Sequence, residues 1–174
     1  MSNSAILVVD MQRAALDGCP DAAGVIGRIN DLTRRATEAG VPVIFIQHED
    51  DEYVRGTPGW ELAEDLDRPD GSHLVEKTYR DGFEATELEP LLERLGVRRL
   101  VVTGVHSDYC VQMTALSAVV RGFDLALVSD AHAAEDDDAA LPAQTVTAFV
   151  NARMSTLRSP GRTIEVLPAA EVSF

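Results

Sequence analysis

Cysteine is scarce in this chain of 174 residues: only Cys19 and Cys110 are present, far apart, with no CxxC pair and no secretory signal ahead of them. Neither a disulfide framework nor a cysteine-based zinc site is indicated, and a reducing cytoplasm is the expected compartment. Histidine is equally sparse. His48, His73, His106 and His132 form none of the close pairs of known zinc motifs, so no metal is expected, and no cofactor motif is present either. No apolar stretch approaches the roughly 18 to 20 residues of a membrane span. Basic residues are the minority, 15 against 29 acidic, and the resulting net charge of -14 repels phosphate backbones and anionic membranes. Nucleic acid and membrane are therefore not expected partners.

What is present suits one ordinary domain over residues 1–174, with 45% hydrophobic and 25% charged residues and no repeat, linker or low-complexity tract. Short β-type runs alternate with amphipathic stretches: Ala5 to Val9, a helix near Asp21 to Ala39, then Val43 to Gln47. That alternation predicts a parallel α/β sheet. A weak third strand follows at Leu74 to Glu76, then a helix around Glu87 to Leu95 with Leu88, Leu91, Leu92 and Leu95 on one face, and a buried fourth strand at Leu100 to Thr103. Gly40 and Gly96 mark helix ends. Beyond the helix holding Cys110 come a fifth strand at Leu125 to Ser129, a helix from about Ala139 to Leu157 and a sixth strand near Thr163 to Val166. Asp136-Asp137-Asp138 reads as a solvated loop or helix start.

In an open α/β sheet, ligands bind beyond the carboxyl ends of the strands, near the point where strand order reverses. Asp10, His48, Lys77, the Gly104 to Cys110 turn and Asp130 each follow one of the predicted strands, so several ionisable groups share one rim. Cys110 opens a helical pattern, where unpaired N–H groups and the helix dipole favour a thiolate. By position alone it is either a nucleophile or a small buried hydrophobe.

Three segments carry a resemblance: Val8-Val9-Asp10-Met11-Gln12; Glu76-Lys77 with Phe83 and Thr86; and Gly104-Val105 through Cys110-Val111. In this order they resemble the isochorismatase-like cysteine hydrolases, the family of nicotinamidases and N-carbamoylsarcosine amidases. The similarity continues through Phe45 to Glu49, Gly59 to Leu62, Gly122-Phe123 and Ser129 to Ala131, and so spans nearly the whole chain. It implies a Rossmann-like three-layer α/β/α fold with a six-stranded, mainly parallel sheet in the order 3-2-1-4-5-6. It also implies an Asp-Lys-Cys triad of Asp10, Lys77 and Cys110, an oxyanion hole from the backbone N–H groups of His106 and Cys110, and a cis Val105–His106 peptide.

The implied reaction is hydrolysis of a carbon–nitrogen bond in a small amide, lactam or carbamoyl-type substrate through a thioester. An ordinary thiol is only a few per cent thiolate at neutral pH, so attack on an amide needs a base, here Asp10, and a cation, here Lys77. The alternatives are an isochorismatase-type vinyl-ether hydrolase, which needs no nucleophilic cysteine, and a non-catalytic binding or assembly subunit on the same fold.

The chain departs from the family's common turn by carrying Ser107 for Thr and His106 for a smaller residue. His106 either bonds substrate or packs against a neighbouring loop. The nicotinamidase metal set is lacking after strand two, where the chain reads Gln47-His48-Glu49-Asp50-Asp51. His48, Trp60, Tyr79, Phe83 and Tyr109 are the expected substrate contacts. The segments Asp108 to Arg121 and Pro168 to Phe174 offer surfaces for a homo-oligomer, a dimer or larger, which the resemblance also implies.

Overall fold

A computed structural model of the chain describes residues 3–136 and 141–174. Six strands form one parallel sheet in the order β3-β2-β1-β4-β5-β6. They are β1 (Ser4–Val9), β2 (Val43–His48), β3 (His73–Lys77), β4 (Arg99–Val105), β5 (Asp124–Ala133) and β6 (Ile164–Leu167). Between them run α1 (Ala22–Glu38), α2 (Leu88–Arg94), α3 (Gln112–Val120) and α4 (Ala143–Ser155). The layers and strand order are those expected. No helix among the described residues is long and apolar enough to cross a membrane.

The alternating direction of side chains along a strand divides the core in two. On β1, Ala5, Leu7 and Val9 pack with Leu88, Leu92, Ala115, Val119, Val150 and Met154 of α2, α3 and α4. Ile6 and Val8 point the other way, toward Val25, Ile29, Leu32 and Ala36 of α1. All six residues of β1 and of β2 are buried, which is why they read as continuous apolar runs. Edge strand β3 alternates instead, with Val75 and Lys77 buried.

Several boundaries differ from the sequence expectation. Leu95 caps α2 and is partly exposed rather than on the buried face with Leu88, Leu91 and Leu92. β5 runs on to Ala133 because its register against β4 shifts between Val102 and Gly104, where Gly104 pairs with His132. Asp130 is therefore inside β5 and not beyond its end. Its Oδ1 accepts the Ala169 N–H at 2.8 Å, an anchor for the C-terminal segment.

That segment folds back on its own domain. Arg35 donates to the carbonyls of Ala169 (3.0 Å) and Val172 (2.6 Å), and Val172 is buried. The start expected for the last helix, Ala139, lies outside the described residues, as do Asp137 and Asp138; Asp136 accepts the Ala143 N–H at 2.7 Å and so caps α4.

Candidate active site

Strand order reverses between β1 and β4, and the residues that follow these two strands, with the last residues of β2 and β3, meet at one place. Asp10 follows β1, His48 ends β2, Lys77 ends β3, and Cys110 lies on the turn after β4. Two backbone features let them converge. Asp10 has φ 50°, a left-handed conformation that Asp tolerates better than most residues, and it turns the carboxylate off the strand direction. Gly104 has φ 119°, and a Cβ there would stand 2.0 Å from the Val9 carbonyl oxygen. Only glycine permits β4 to approach β1 so closely beside Asp10.

The Lys77 Nζ is buried and meets three acceptors: Asp10 Oδ2 at 2.8 Å, His48 Nδ1 at 2.7 Å and Cys110 Sγ at 3.3 Å. An ammonium has three N–H donors, so this set satisfies it fully. The other ring nitrogen of His48, Nε2, lies 2.9 Å from Asp50 Oδ2. This arrangement assigns the ring proton to Nε2 and leaves Nδ1 to accept from the lysine. Burial pushes the Asp50 carboxyl up, but the N–H groups of Tyr53 and Glu52 and the His48 ring outweigh it, so Asp50 is held below the usual carboxylate range.

Gln12 fixes His48 from the backbone side. Its Oε1 accepts the His48 N–H (2.8 Å), and its Nε2 donates to the His48 carbonyl (2.9 Å) and the Trp60 carbonyl (3.0 Å). Asp10, His48 and Cys110 also offer metal-ligand atoms within 4.8 Å of one another, a convergence that the sequence spacing of the histidines did not foretell. The Lys77 ammonium bonds to each of these three residues, so a metal ion there would have to displace it.

Cys110 sits in a π-helical turn, Ser107–Val111, kinked at Tyr109, and not on the first turn of a regular helix. The peptide Val105–His106 before the turn is cis. The His106 carbonyl takes the N–H groups of Tyr109 and Val111, both at 3.2 Å. Beneath the turn, the Ser107 hydroxyl bonds His132 Nδ1 (2.7 Å) and the Thr147 hydroxyl (3.1 Å). Burial pushes His132 below the usual imidazole range, which suits a neutral ring in this network.

The helix start was expected to favour the thiolate. Instead, burial and then the negative charge of Asp10 push the Cys110 thiol up to about 12, with Lys77 pulling the other way without reversing the sum. Burial and Asp10 thus disfavour the thiolate at this position. Asp10 Oδ1 is buried without a hydrogen-bond partner among the described residues.

A cavity of about 260 Å³ opens onto Asp10 and Cys110. Of the expected substrate contacts, His48 and Tyr109 line it. The other three lie elsewhere. Trp60 serves through its carbonyl, which accepts from Gln12 and from Gln47 (2.8 Å), while its ring lies under Arg55. Phe83 is core, 6.0 Å from the Phe123 ring, and Tyr79 is exposed. The His106 ring also lines the cavity, with Nε2 donating to the Ala15 carbonyl at 2.7 Å; the side chain is thus tied to a neighbouring loop. Tyr53, Arg80, Glu52 and Glu135 complete walls that the sequence reading missed, because loop residues carry no periodic signal.

Residues 4–157 match the model of the isochorismatase domain. The chain belongs to the isochorismatase family. It is 39% identical over 178 residues to two streptothricin hydrolases of Streptomyces noursei, covering 98% of this chain but 70% and 64% of theirs. Against the crystal structure of an isochorismatase family protein the TM-score is 0.86 at 26% identity, covering 96% of this chain and 99% of that one. A cysteine hydrolase from Pseudomonas syringae pv. phaseolicola shares the fold, with a TM-score of 0.85 at 24% identity over 97% of this chain and 90% of that one. On this isochorismatase-family fold, the Asp10, His48 and Cys110 cluster is where ionisable side chains from separate strands converge beside a cavity.

Proposed function

We propose that the protein is a cysteine hydrolase that cleaves a carbon–nitrogen bond in a small amide, lactam or carbamoyl-type substrate. The observation that carries this reading is the Lys77 ammonium bridging Asp10 Oδ2 and Cys110 Sγ beside a cavity of substrate size. Cys110 is the nucleophile, Asp10 the proton acceptor and Lys77 the cation that holds both. The pushed-up thiol makes proton transfer part of the attack: as sulfur bonds the carbonyl carbon, its proton passes to Asp10.

The oxyanion so formed is held by the backbone N–H groups of His106 and Cys110 on the π-helical turn. Collapse breaks the C–N bond, and the Asp10 proton leaves with the amine. Water, deprotonated by Asp10, then attacks the thioester, releasing the acid and returning the proton to sulfur. His48 contributes by positioning Lys77. Vinyl-ether hydrolysis, the alternative, has no use for a thiol held by a lysine.

Streptothricin, named for the relatives at 39% identity, is the first compound to test, followed by nicotinamide and a panel of simple amides, lactams and carbamoyl compounds. Hydrolysis by the wild type, its loss in Cys110→Ala, and an acyl adduct on the intact wild-type mass are the expected results. Equal turnover by both proteins would remove Cys110 from the mechanism.

A further inference from the structure

The charge of the cavity is lopsided. Asp50 and Glu52 enter from the loop after β2 and Glu135 from the segment after β5, while Arg80 is the one lysine or arginine among the described lining residues. Arg80 does not neutralise them: its guanidinium lies 3.9 Å from the centre of the Tyr109 ring, and no carboxylate forms an ion pair with it among the described residues. Just outside the cavity the pattern is different. Arg55 binds both Glu49 and Glu76 at 2.6 Å, so the carboxylates that do not face the cavity have their cation. Glu52 has no ion pair among the described residues, and Glu135 is 4.0 Å from His106 Nε2, whose hydrogen bond goes to Ala15.

At the floor, Asp10 is 4% exposed; its Oδ2 holds the Lys77 ammonium at 2.8 Å, and its Oδ1 has no hydrogen-bond partner among the described residues. The Tyr53 hydroxyl reports the same field: burial pushes it up to about 12, and Glu52, Asp10, Glu135 and Cys110 add to the shift.

Asp10 has the Lys77 ammonium and Asp50 the His48 ring, but Glu52 and Glu135 have no lysine or arginine partner among the described residues, and a cationic ligand would relieve their repulsion. We propose that the substrate carries a positive charge, a protonated amine or a guanidinium, set apart from the scissile amide and held at the cavity wall by Glu52 and Glu135. This specificity rests on the cysteine-hydrolase reading of the site. Asp50 contributes field more than contact, since its oxygens are engaged by His48 and by two backbone N–H groups. An anionic substrate would face the same carboxylates with Arg80 alone to receive it.

Three probes of similar length separate the charge from the amide: hexanamide, 6-aminohexanamide and adipamic acid. Affinities are measured on the full chain with Cys110→Ser, and turnover on the wild type. The expected result is that 6-aminohexanamide binds about tenfold tighter than hexanamide, that adipamic acid binds weakest, and that added salt narrows the gap. The paired change Glu52→Gln and Glu135→Gln, both exposed positions, removes the advantage of the cation. Equal affinities, a preference for adipamic acid, or no detectable binding of 6-aminohexanamide overturns the proposal. The two readings fail separately: cation preference without Cys110-dependent turnover sinks the hydrolase, and Cys110-dependent turnover without cation preference sinks the charge specificity.

Discussion

Lys77 Nζ and His48 Nδ1 stand 2.7 Å apart in the buried floor of the site. Two nitrogens that are both cations in many proteins meet so closely only when one donates and the other offers a lone pair. Asp50 on the far side of the ring sets that lone pair toward the lysine. His48 thereby becomes the third acceptor of the ammonium that also holds Asp10 and Cys110.

Replacing His48 with Leu leaves one N–H of Lys77 without a partner, at about 1 to 3 kcal/mol. We expect kcat to fall roughly 10- to 100-fold with KM little changed. His48→Asn, whose side-chain oxygen can stand near the position of Nδ1, restores most of the rate. Steady-state kinetics on any substrate from the panel checks this; equal losses in both variants would mean that the ring only fills space.

Asp10→Asn separates thiol reactivity from catalysis. The Asp10 charge is the second cause, after burial, of the high thiol value of Cys110, and Lys77 opposes it. Removing the charge lowers the thiol value, so iodoacetamide should alkylate Cys110 faster at neutral pH in the variant than in the wild type. Hydrolysis should fall by a factor of at least about 100, since the proposed proton acceptor is gone. Mass-resolved alkylation rates beside turnover provide the comparison; slower alkylation in the variant would contradict the assigned field.

Alkaline stability should decline for a definite reason. Burial first, followed by neighbouring carboxylates, pushes Cys19 up to about 12, while burial and Asp10 do the same for Cys110 and burial and Glu52 for Tyr53. The unfolded chain loses these protons near their ordinary values, about 8.5 for a thiol and about 10 for tyrosine. Their contribution is complete below those values and is lost as pH rises toward about 12 in the folded protein. Urea midpoints should fall steadily above about pH 8.5, and Cys19→Ala should flatten the slope.

Gly104→Ala should be among the most damaging single-methyl additions. The new Cβ meets the Val9 carbonyl oxygen at 2.0 Å and the Val9 nitrogen at 2.6 Å, neither of which can move without parting β1 from β4. A loss of about 3 kcal/mol or more is expected. Denaturation midpoints measure it; a change below about 1 kcal/mol would mean that the strand gap closes by another route.

The strands and helices were legible because each rests on local pattern, whereas the layers and the strand order followed only from the family resemblance. Ala5 to Val9 is apolar throughout, as a strand covered on both faces must be, and the spacing of Val25, Ile29, Leu32 and Ala36 is that of a one-faced helix. Asp130 was misplaced since a register shift between paired strands leaves no mark on either strand's own sequence. Trp60, Tyr79 and Phe83 are expected contacts as large aromatics near the rim, yet they do not line the cavity, since large aromatics fill cores and surfaces as readily as pockets.

By itself the sequence determined which residues could do chemistry and, through strand ends, that Asp10, His48, Lys77 and Cys110 would share a rim. Only the tertiary structure decided how they act on one another. The three acceptors of Lys77 come from three separate strand ends, and the thiol value of Cys110 depends on how much water the assembled walls exclude. Glu52 and Glu135 were visible as residues, but that neither has a lysine or arginine partner among the described residues was not, because Arg55 pairs with Glu49 and Glu76 only once the loop is folded. Covalent neighbours set local conformation; distance and solvent exclusion, which set electrostatic energies, exist only after the chain has closed on itself.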